Sequence, residues 1–339
     1  MKRITWSFVA VVTALFISAS LTQAATKDEV VKRGYLQCGV STGIPGYSNP
    51  DAKGNWTGLD VDVCRAVAAA TLGDASKVKY LPLNAKERFT ALQSGEIDML
   101  SRVTTYTLTR DSSLGINFAG VTYYDGQGFL VSKKLGVKNA AELNGAAICI
   151  QAGTTTEVNL ATYFKQYKME YKPIVFDTSD ETAKGLEAGR CDVLTSDQSQ
   201  LYALRIKLAN SDDYIMLPDI ISKEPLGPAV RQGDDNWFDI VKWSLFAMIN
   251  AEELGITTAN IDQMMTSTDA TIQKFVGKEG IKGEGLGLKD DWAAQIIKQV
   301  GNYGEAFDRN VGMGSPLKIE RGLNAQWKDG GLQYSPPML

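Results

Sequence analysis

Two stretches of the chain repeat one pattern: residues 91–100 read ALQSGEIDML and residues 185–194 read GLEAGRCDVL. In each, Leu is followed after two residues by Gly, then by Asp three further on, then by an apolar pair. A Gly so placed ends a helix in the left-handed conformation. The apolar run after it predicts a short buried strand, over Ile97 to Leu100 and over Cys191 to Leu194. Phe89 and Leu92 in the first unit, and Ala183 and Leu186 in the second, have the i, i+3 spacing of a buried helix face. Repeated helix-to-strand units belong to α/β sheets covered by helices on both faces.

Neighbouring segments extend this reading. YLQCGV (35–40) predicts a strand, and GLDVDVCRAVAAATLGD (58–74) a helix with Val63, Val67 and Ala70 on one face. AAICIQAGTTTE (146–157) predicts a strand running into a helix. Ligands of open α/β sheets bind beyond the C-terminal ends of the strands, so function belongs in the segments that follow them. After the first repeat comes SRVTTYTLTRDSS (101–113), dense in hydroxyls and carrying Arg110; after the second comes TSDQSQ (195–200), with Asp197. In AGTTTE, Thr154 and Glu157 have the spacing of a capping box. The amides of Thr155 and Thr156 then face outward at a helix N-terminus, which favours an anion such as a carboxylate. Arg110 can hold a carboxylate bidentately, and Asp197 can neutralise an ammonium group. A zwitterion needs this complementary set.

Composition removes several alternatives. The chain has no histidine, the commonest general base and metal ligand, and we expect no cofactor or metal. Its four cysteines, Cys38, Cys64, Cys149 and Cys191, contain no Cys-x-x-Cys pair, which argues against zinc. A net charge of -4 without a dense Lys/Arg cluster lacks the basic footprint of a nucleic-acid binder. Lys2 and Arg3, the mostly apolar Phe8 to Ile17, and Thr22-Gln23-Ala24 have the layout of a cleavable secretory signal peptide over residues 1–24. Its apolar core is shorter than the roughly 20 residues a membrane anchor needs. In an exported protein an even cysteine count reads as disulfides. The length of 339 residues suggests about two domains.

Together these segments resemble the polar amino-acid-binding proteins of bacterial ABC importers, the group of lysine/arginine/ornithine-, histidine- and glutamine-binding proteins. The resemblance lies in GNWTGLDVDVC (54–64), ALQSGEIDMLSRVTTYTLTR (91–110), AGTTTE (152–157) and AGRCDVLTSD (188–197), and covers about residues 30–255. SR-x-TT-aromatic-T, NFAGV-x-YYDGQGF (117–129), the four cysteines and a long C-terminal extension most resemble the general L-amino-acid-binding subgroup.

The resemblance implies an α/β, two-lobed type II periplasmic-binding-protein fold, each lobe a mixed sheet flanked by helices. Lobe 1 would hold residues 26–130 plus 227–339, with a helical extension from about 257, and lobe 2 residues 131–226. Hinge crossings are expected near 128–132 and 225–230, where Pro225 and Pro228 suit extended chain. It further implies a periplasmic monomer that captures free L-amino acids and hands them to the permease subunits of an ABC importer by lobe closure, with no enzymatic activity and no nucleic-acid partner. Arg110 would clamp the α-carboxylate with Thr105 and the Thr155 amide. Asp197 would take the α-ammonium with the Val103 carbonyl and Thr105 hydroxyl, Thr154 completing the site. Pairing Cys38 with Cys64 and Cys149 with Cys191 would keep each bridge inside one lobe and leave the hinge free.

The chain departs from the family at its side-chain clamp. Aromatic residues expected near Asn84–Ala85 and near Ile44 are missing, and Val103 replaces a polar residue. A roomier pocket and broad specificity follow. Cyclohexadienyl dehydratases resemble the same proteins, but their chemistry needs a proton donor or acceptor over the leaving group. Without histidine no such pair stands out. A receptor's sensing module is disfavoured because no segment after the leader is apolar enough to span a membrane. In the tail, WAAQIIKQVGNYGEAF predicts a helix broken at Gly301 or Gly304, and Trp292, Tyr303, Phe307 and Trp327 are expected to pack on lobe 1.

Overall fold

The computed structural model describes residues 25–280 and 283–338, and the leader read over residues 1–24 lies outside them. The chain first forms β1 (Leu36–Val40), β2 (Asn49–Pro50), β3 (Trp56–Thr57), β4 (Val78–Pro82), β5 (Met99–Leu100) and β6 (Ile116–Phe118). It then forms β7 (Tyr123–Asp125), β8 (Gln127–Ser132), β9 (Ala147–Gln151), β10 (Lys172–Phe176), β11 (Val193–Asp197) and β12 (Tyr214–Met216), and finally β13 (Glu224–Leu226) and β14 (Ala229–Arg231). Two five-stranded mixed sheets result, ordered β4-β1-β5-β14-β6 and β10-β9-β11-β8-β12. In each, three parallel strands are followed by an antiparallel strand entering from the other half of the chain. The two sheets thus share one pattern, each the centre of a lobe.

The sequence echo has a structural cause. Helix Arg88–Ser94 ends at Gly95 (φ 81) and helix Ser179–Glu187 is followed by Gly189 (φ 66), both left-handed positions that a residue with a Cβ adopts at a cost. The Asp three residues on does equivalent work in both units. Asp98 Oδ2 accepts from the Gln37 amide (2.7 Å) and Asp192 Oδ2 from the Ala147 amide (2.8 Å), each at the start of the neighbouring strand. These carboxylates occupy the first rungs of the ladder, so β5 and β11 begin two residues later than Ile97 and Cys191. Ala183 and Leu186 face the core as expected. In the first helix, however, Arg88 is buried with Ala91 and Leu92, and Phe89 is only half-buried. That helix faces a polar cleft as well as a core.

Cys38 is bonded to Cys64, tying β1 to helix Leu59–Leu72, and Cys149 to Cys191, tying β9 to the start of β11. By the loop-entropy account each bridge contributes about 2–4 kcal/mol. The chain leaves the first sheet through β7 and returns through β13, and these two strands pair antiparallel. The first crossing therefore precedes the expected 128–132, which is β8 itself, already inside the second sheet.

The C-terminal extension forms helices Trp292–Gln299 and Tyr303–Asn310, broken at Gly301. Trp292, Tyr303 and Phe307 are buried in one cluster with Leu59, Ala66, Leu245 and Met248, whereas Trp327 is half-exposed, contrary to expectation. It lies on a short turn beside Tyr334, where a large ring rests on the surface. Asp62 holds the extension in place. Its buried carboxylate accepts from Arg309 (2.7 Å), Asn310 (2.5 Å) and Arg65 (3.2 Å). Asp62→Ala strands these donors and is expected to destabilise the protein by about 1–3 kcal/mol, read from chemical denaturation. Unchanged stability would mean that apolar packing alone docks the tail.

Candidate ligand-binding site

The loop after β5 is set by Asp60, on helix Leu59–Leu72. Its carboxylate accepts from the Ser101 hydroxyl (3.2 Å) and the Val103 amide (2.9 Å). Val103 has φ 37, a left-handed conformation that is strained for a β-branched residue and persists only where surroundings impose it. Burial pushes the Asp60 carboxyl up to about 6, against the pull of these hydrogen bonds and of Arg102. Thr107 then caps helix Leu108–Ser113 by accepting from the Arg110 amide (3.3 Å).

On the facing lobe, β9 delivers Gln151 to Thr156. The expected capping box does not form. Thr154 spends its hydroxyl proton on the Gln151 carbonyl (2.8 Å), and Glu157 reaches one residue further back, to the Gly153 amide (2.7 Å). Asp197 ends β11, and its carboxylate accepts from Gln200 (2.6 Å). Burial raises its pKa well above the usual carboxylate range. The nearby Asp125 and Glu224 carboxylates add to the rise, while Gln200 and Arg110 oppose it. Burial likewise lifts Asp125 to about 6.

One small cavity between the lobes is lined by Val103, Thr105, Thr154, Thr155 and Asp197, bringing together five of the six expected residues. Arg110 stands behind them. It donates to the Thr105 carbonyl (2.9 Å) and lies 5.2 Å from the centre of the Phe89 ring. The guanidiniums that do line the cavity are Arg88 and Arg102, which sequence reasoning did not single out. Both are buried. Arg88 donates to Thr104 (3.2 Å) and, across the cleft, to the Gly153 carbonyl (3.5 Å), while its Nε has no partner. Arg102 Nε donates to the Leu83 carbonyl (2.9 Å). Burial, with Arg102 and Arg110 nearby, lowers the Arg88 pKa well below its usual value, and burial brings Arg102 to about 10. Arg88 precedes the apolar pair Phe89 and Leu92 on its helix without a mark of its own, and Arg102 lies in a hydroxyl-rich loop.

The lobes touch around this cavity. Thr105 and Thr155 hydroxyls lie 3.3 Å apart, Lys86 pairs with Asp177 (2.7 Å), and Lys207 donates to the Gly43 carbonyl (3.1 Å). The pair at Lys86 is exposed on both sides, and such surface pairs contribute little. The chemistry therefore concentrates inside: two guanidiniums and five hydroxyl side chains line the cavity, with Arg110 behind them and buried carboxylates beside them, and no histidine or thiol among them. Such a site can hold a small molecule carrying both an ammonium and carboxylates.

Comparison with known proteins gives concordant findings. The family model described as bacterial extracellular solute-binding proteins, family 3, matches residues 36–257. The chain is 61% identical over 326 residues to the general L-amino acid-binding periplasmic protein AapJ of Rhizobium johnstonii, covering 96% of each. It is 51% identical over 320 residues to the glutamate/glutamine/aspartate/asparagine-binding protein BztA of Rhodobacter capsulatus, covering 94% of this chain and 95% of that one. Among solved structures, an ABC transporter periplasmic binding protein from Brucella ovis with glutathione bound is 56% identical, with a TM-score of 0.91 over 93% of this chain and all of that one.

Proposed function

We propose, from the premise that this chain belongs to the bacterial extracellular solute-binding proteins, family 3, that it captures L-amino acids of many kinds and delivers them to the permease of an ABC importer. The observation that carries the reading is the meeting of Asp197, on the second sheet, with Thr105 and three buried guanidiniums on the first. Arg110 with the Thr155 amide takes the α-carboxylate, while Asp197, Thr105 and the Val103 carbonyl take the ammonium; Thr154 completes the site. With the first crossing ahead of β8, lobe 1 comprises about residues 26–125 and 227–339 and lobe 2 about residues 126–226, so a bound zwitterion bridges them and favours closure.

Breadth follows from what is absent as well as present. Asn84–Ala85 and Ile44 stand near the places of the family's side-chain aromatics, so recognition rests on the α-amino-acid end common to all ligands. Glutathione, bound by the Brucella ovis relative, also carries such an end. Arg88 and Arg102 add a cationic wall suited to acidic and amide side chains, in keeping with the ligands named for BztA. The protein acts as a periplasmic monomer, exported by a leader cleaved after Ala24, and binds without chemical conversion. Calorimetric titration of unfolded and refolded, ligand-free protein with the common L-amino acids is expected to show binding of many, polar and acidic ones included, and poor binding of D-isomers. Tight binding of a single amino acid would falsify the breadth.

Acidification should weaken capture. As pH falls, Asp197, whose pKa is raised by burial and by the neighbouring Asp125 and Glu224 carboxylates, takes up a proton and loses the charge an ammonium needs. Titrations at pH 7 and pH 5 are expected to show lower affinity at the acid end. Stability moves the other way. The folded protein binds protons on Asp60 and Asp125 in a window where the unfolded chain does not, so ligand-free stability rises as pH falls from about 7 toward 5. Equal affinity at the two pH values would detach Asp197 from ammonium recognition.

A further inference from the structure

Glu224 opens β13 at the second crossing and is buried. Its four hydrogen bonds come from both lobes. Oε2 accepts from the Thr105 hydroxyl (2.6 Å) and the Thr155 hydroxyl (2.9 Å), and Oε1 accepts from Asn159 Nδ2 (2.6 Å) and the Ser222 hydroxyl (2.7 Å). Four bonds fill the acceptor sites of a carboxylate, which has no proton to return. A hydroxyl has one proton and two lone pairs. Thr105 and Thr155 therefore spend their only protons on Glu224 and turn lone pairs elsewhere. Both also line the cavity, in company with Asp197.

We infer that Glu224 is a positioning residue for specificity: by drawing both threonine protons to itself, it fixes Thr105 and Thr155 as obligatory acceptors, so that with Asp197 they form a socket for an ammonium group. This rests on the amino-acid reading above and deepens it. It also changes two assigned roles: a hydroxyl locked as an acceptor cannot help Arg110 hold a carboxylate, and the Thr155 hydroxyl takes the place given above to the Val103 carbonyl. The α-carboxylate is left to Arg110 and the Thr155 amide. The α-ammonium meets a carboxylate and two hydroxyl lone pairs, one for each of its three protons. A ligand with a hydroxyl in place of the ammonium can fill only one of those acceptors, and one with a hydrogen none, and unfilled buried acceptors are costly.

The test is Glu224→Gln, titrated with L-glutamate and with (S)-2-hydroxyglutarate, which differ only in the group that enters the socket. Glutamine donates through its amide nitrogen, which frees the threonine hydroxyls to rotate. The preference for L-glutamate over the hydroxy acid is expected to fall by about 10- to 100-fold, the scale of hydrogen bonds to a charged group. A merely structural hinge residue would weaken both ligands alike, and that outcome, or an unchanged ratio, overturns the assignment. Should Glu224→Gln not fold, Thr155→Val removes one acceptor while leaving Glu224 in place. The same ratio is then expected to drop by about tenfold, and an unchanged ratio overturns the assignment. Wild-type protein that binds neither compound overturns the amino-acid reading and this assignment with it. Wild-type binding with an unaltered preference in the variants overturns the assignment alone.

Discussion

Asp197→Ala is expected to lower affinity for L-amino acids by about 30- to several-thousand-fold, because a buried ligand ammonium left without its partner costs about 2–5 kcal/mol. Arg110→Ala is expected to do the same from the carboxylate side. Neither should lower the melting temperature of the ligand-free protein much. Asp197 shares its surroundings with Asp125 and Glu224, so its removal relieves repulsion as well as deleting the bond to Gln200. The measurement is thermal melting with and without ligand. The ligand-induced rise should vanish in both variants while the ligand-free value stays near wild type. Near-normal affinity in Asp197→Ala would place the ammonium partner elsewhere.

Arg88→Met and Arg102→Met should separate ligands by charge. Both guanidiniums line the cavity, and Arg88 Nε is buried without a partner. A side-chain carboxylate entering between them gains two charge-assisted donors. Losing either is expected to weaken L-glutamate by about 30-fold or more, on the scale for truncating one partner of a buried charge pair. Neutral amino acids should be bound nearly as before. Ligand-free stability should change little, since the cost of burying each guanidinium is relieved as its hydrogen bonds are lost. Parallel titrations with L-glutamate and L-alanine read the difference. Equal losses for both ligands would assign these arginines to the α-carboxylate instead.

What was legible in the sequence was what backbone geometry compels. Gly95 and Gly189 need positive φ, Asp98 and Asp192 must take a strand's first amide, and both marks survive as letters at fixed spacing. Asp197 and Thr105 could be read because they follow such units directly. Arg88, Arg102 and Glu224 left no comparable mark. A buried Arg differs from a surface Arg only through partners far away in the chain, such as Gly153 for Arg88. Glu224 lies 119 residues from Thr105, and only the fold brings them together. The capping box failed for a local reason: the Thr154 hydroxyl found a nearer acceptor in the Gln151 carbonyl. Sequence patterns report the frame of this site well, and its electrostatics poorly.

The docked extension has a mechanical meaning for the crossing strands. Asn324 grips both backbone groups of Tyr124, accepting from its amide (2.7 Å) and donating to its carbonyl (3.2 Å), and the Tyr303 hydroxyl donates to the Thr122 carbonyl (2.7 Å). β13 is in turn paired with β7. Both crossings are therefore splinted to the first lobe through a part of the chain that lies outside the family's matched span of residues 36–257. Bending is left to the few residues between the splint and the second sheet, around Gly126 and Lys223. Rotation with so short a pivot has few directions available. A second lobe held in this way would swing along few paths, which would shorten the search for the closed arrangement each time a ligand arrives.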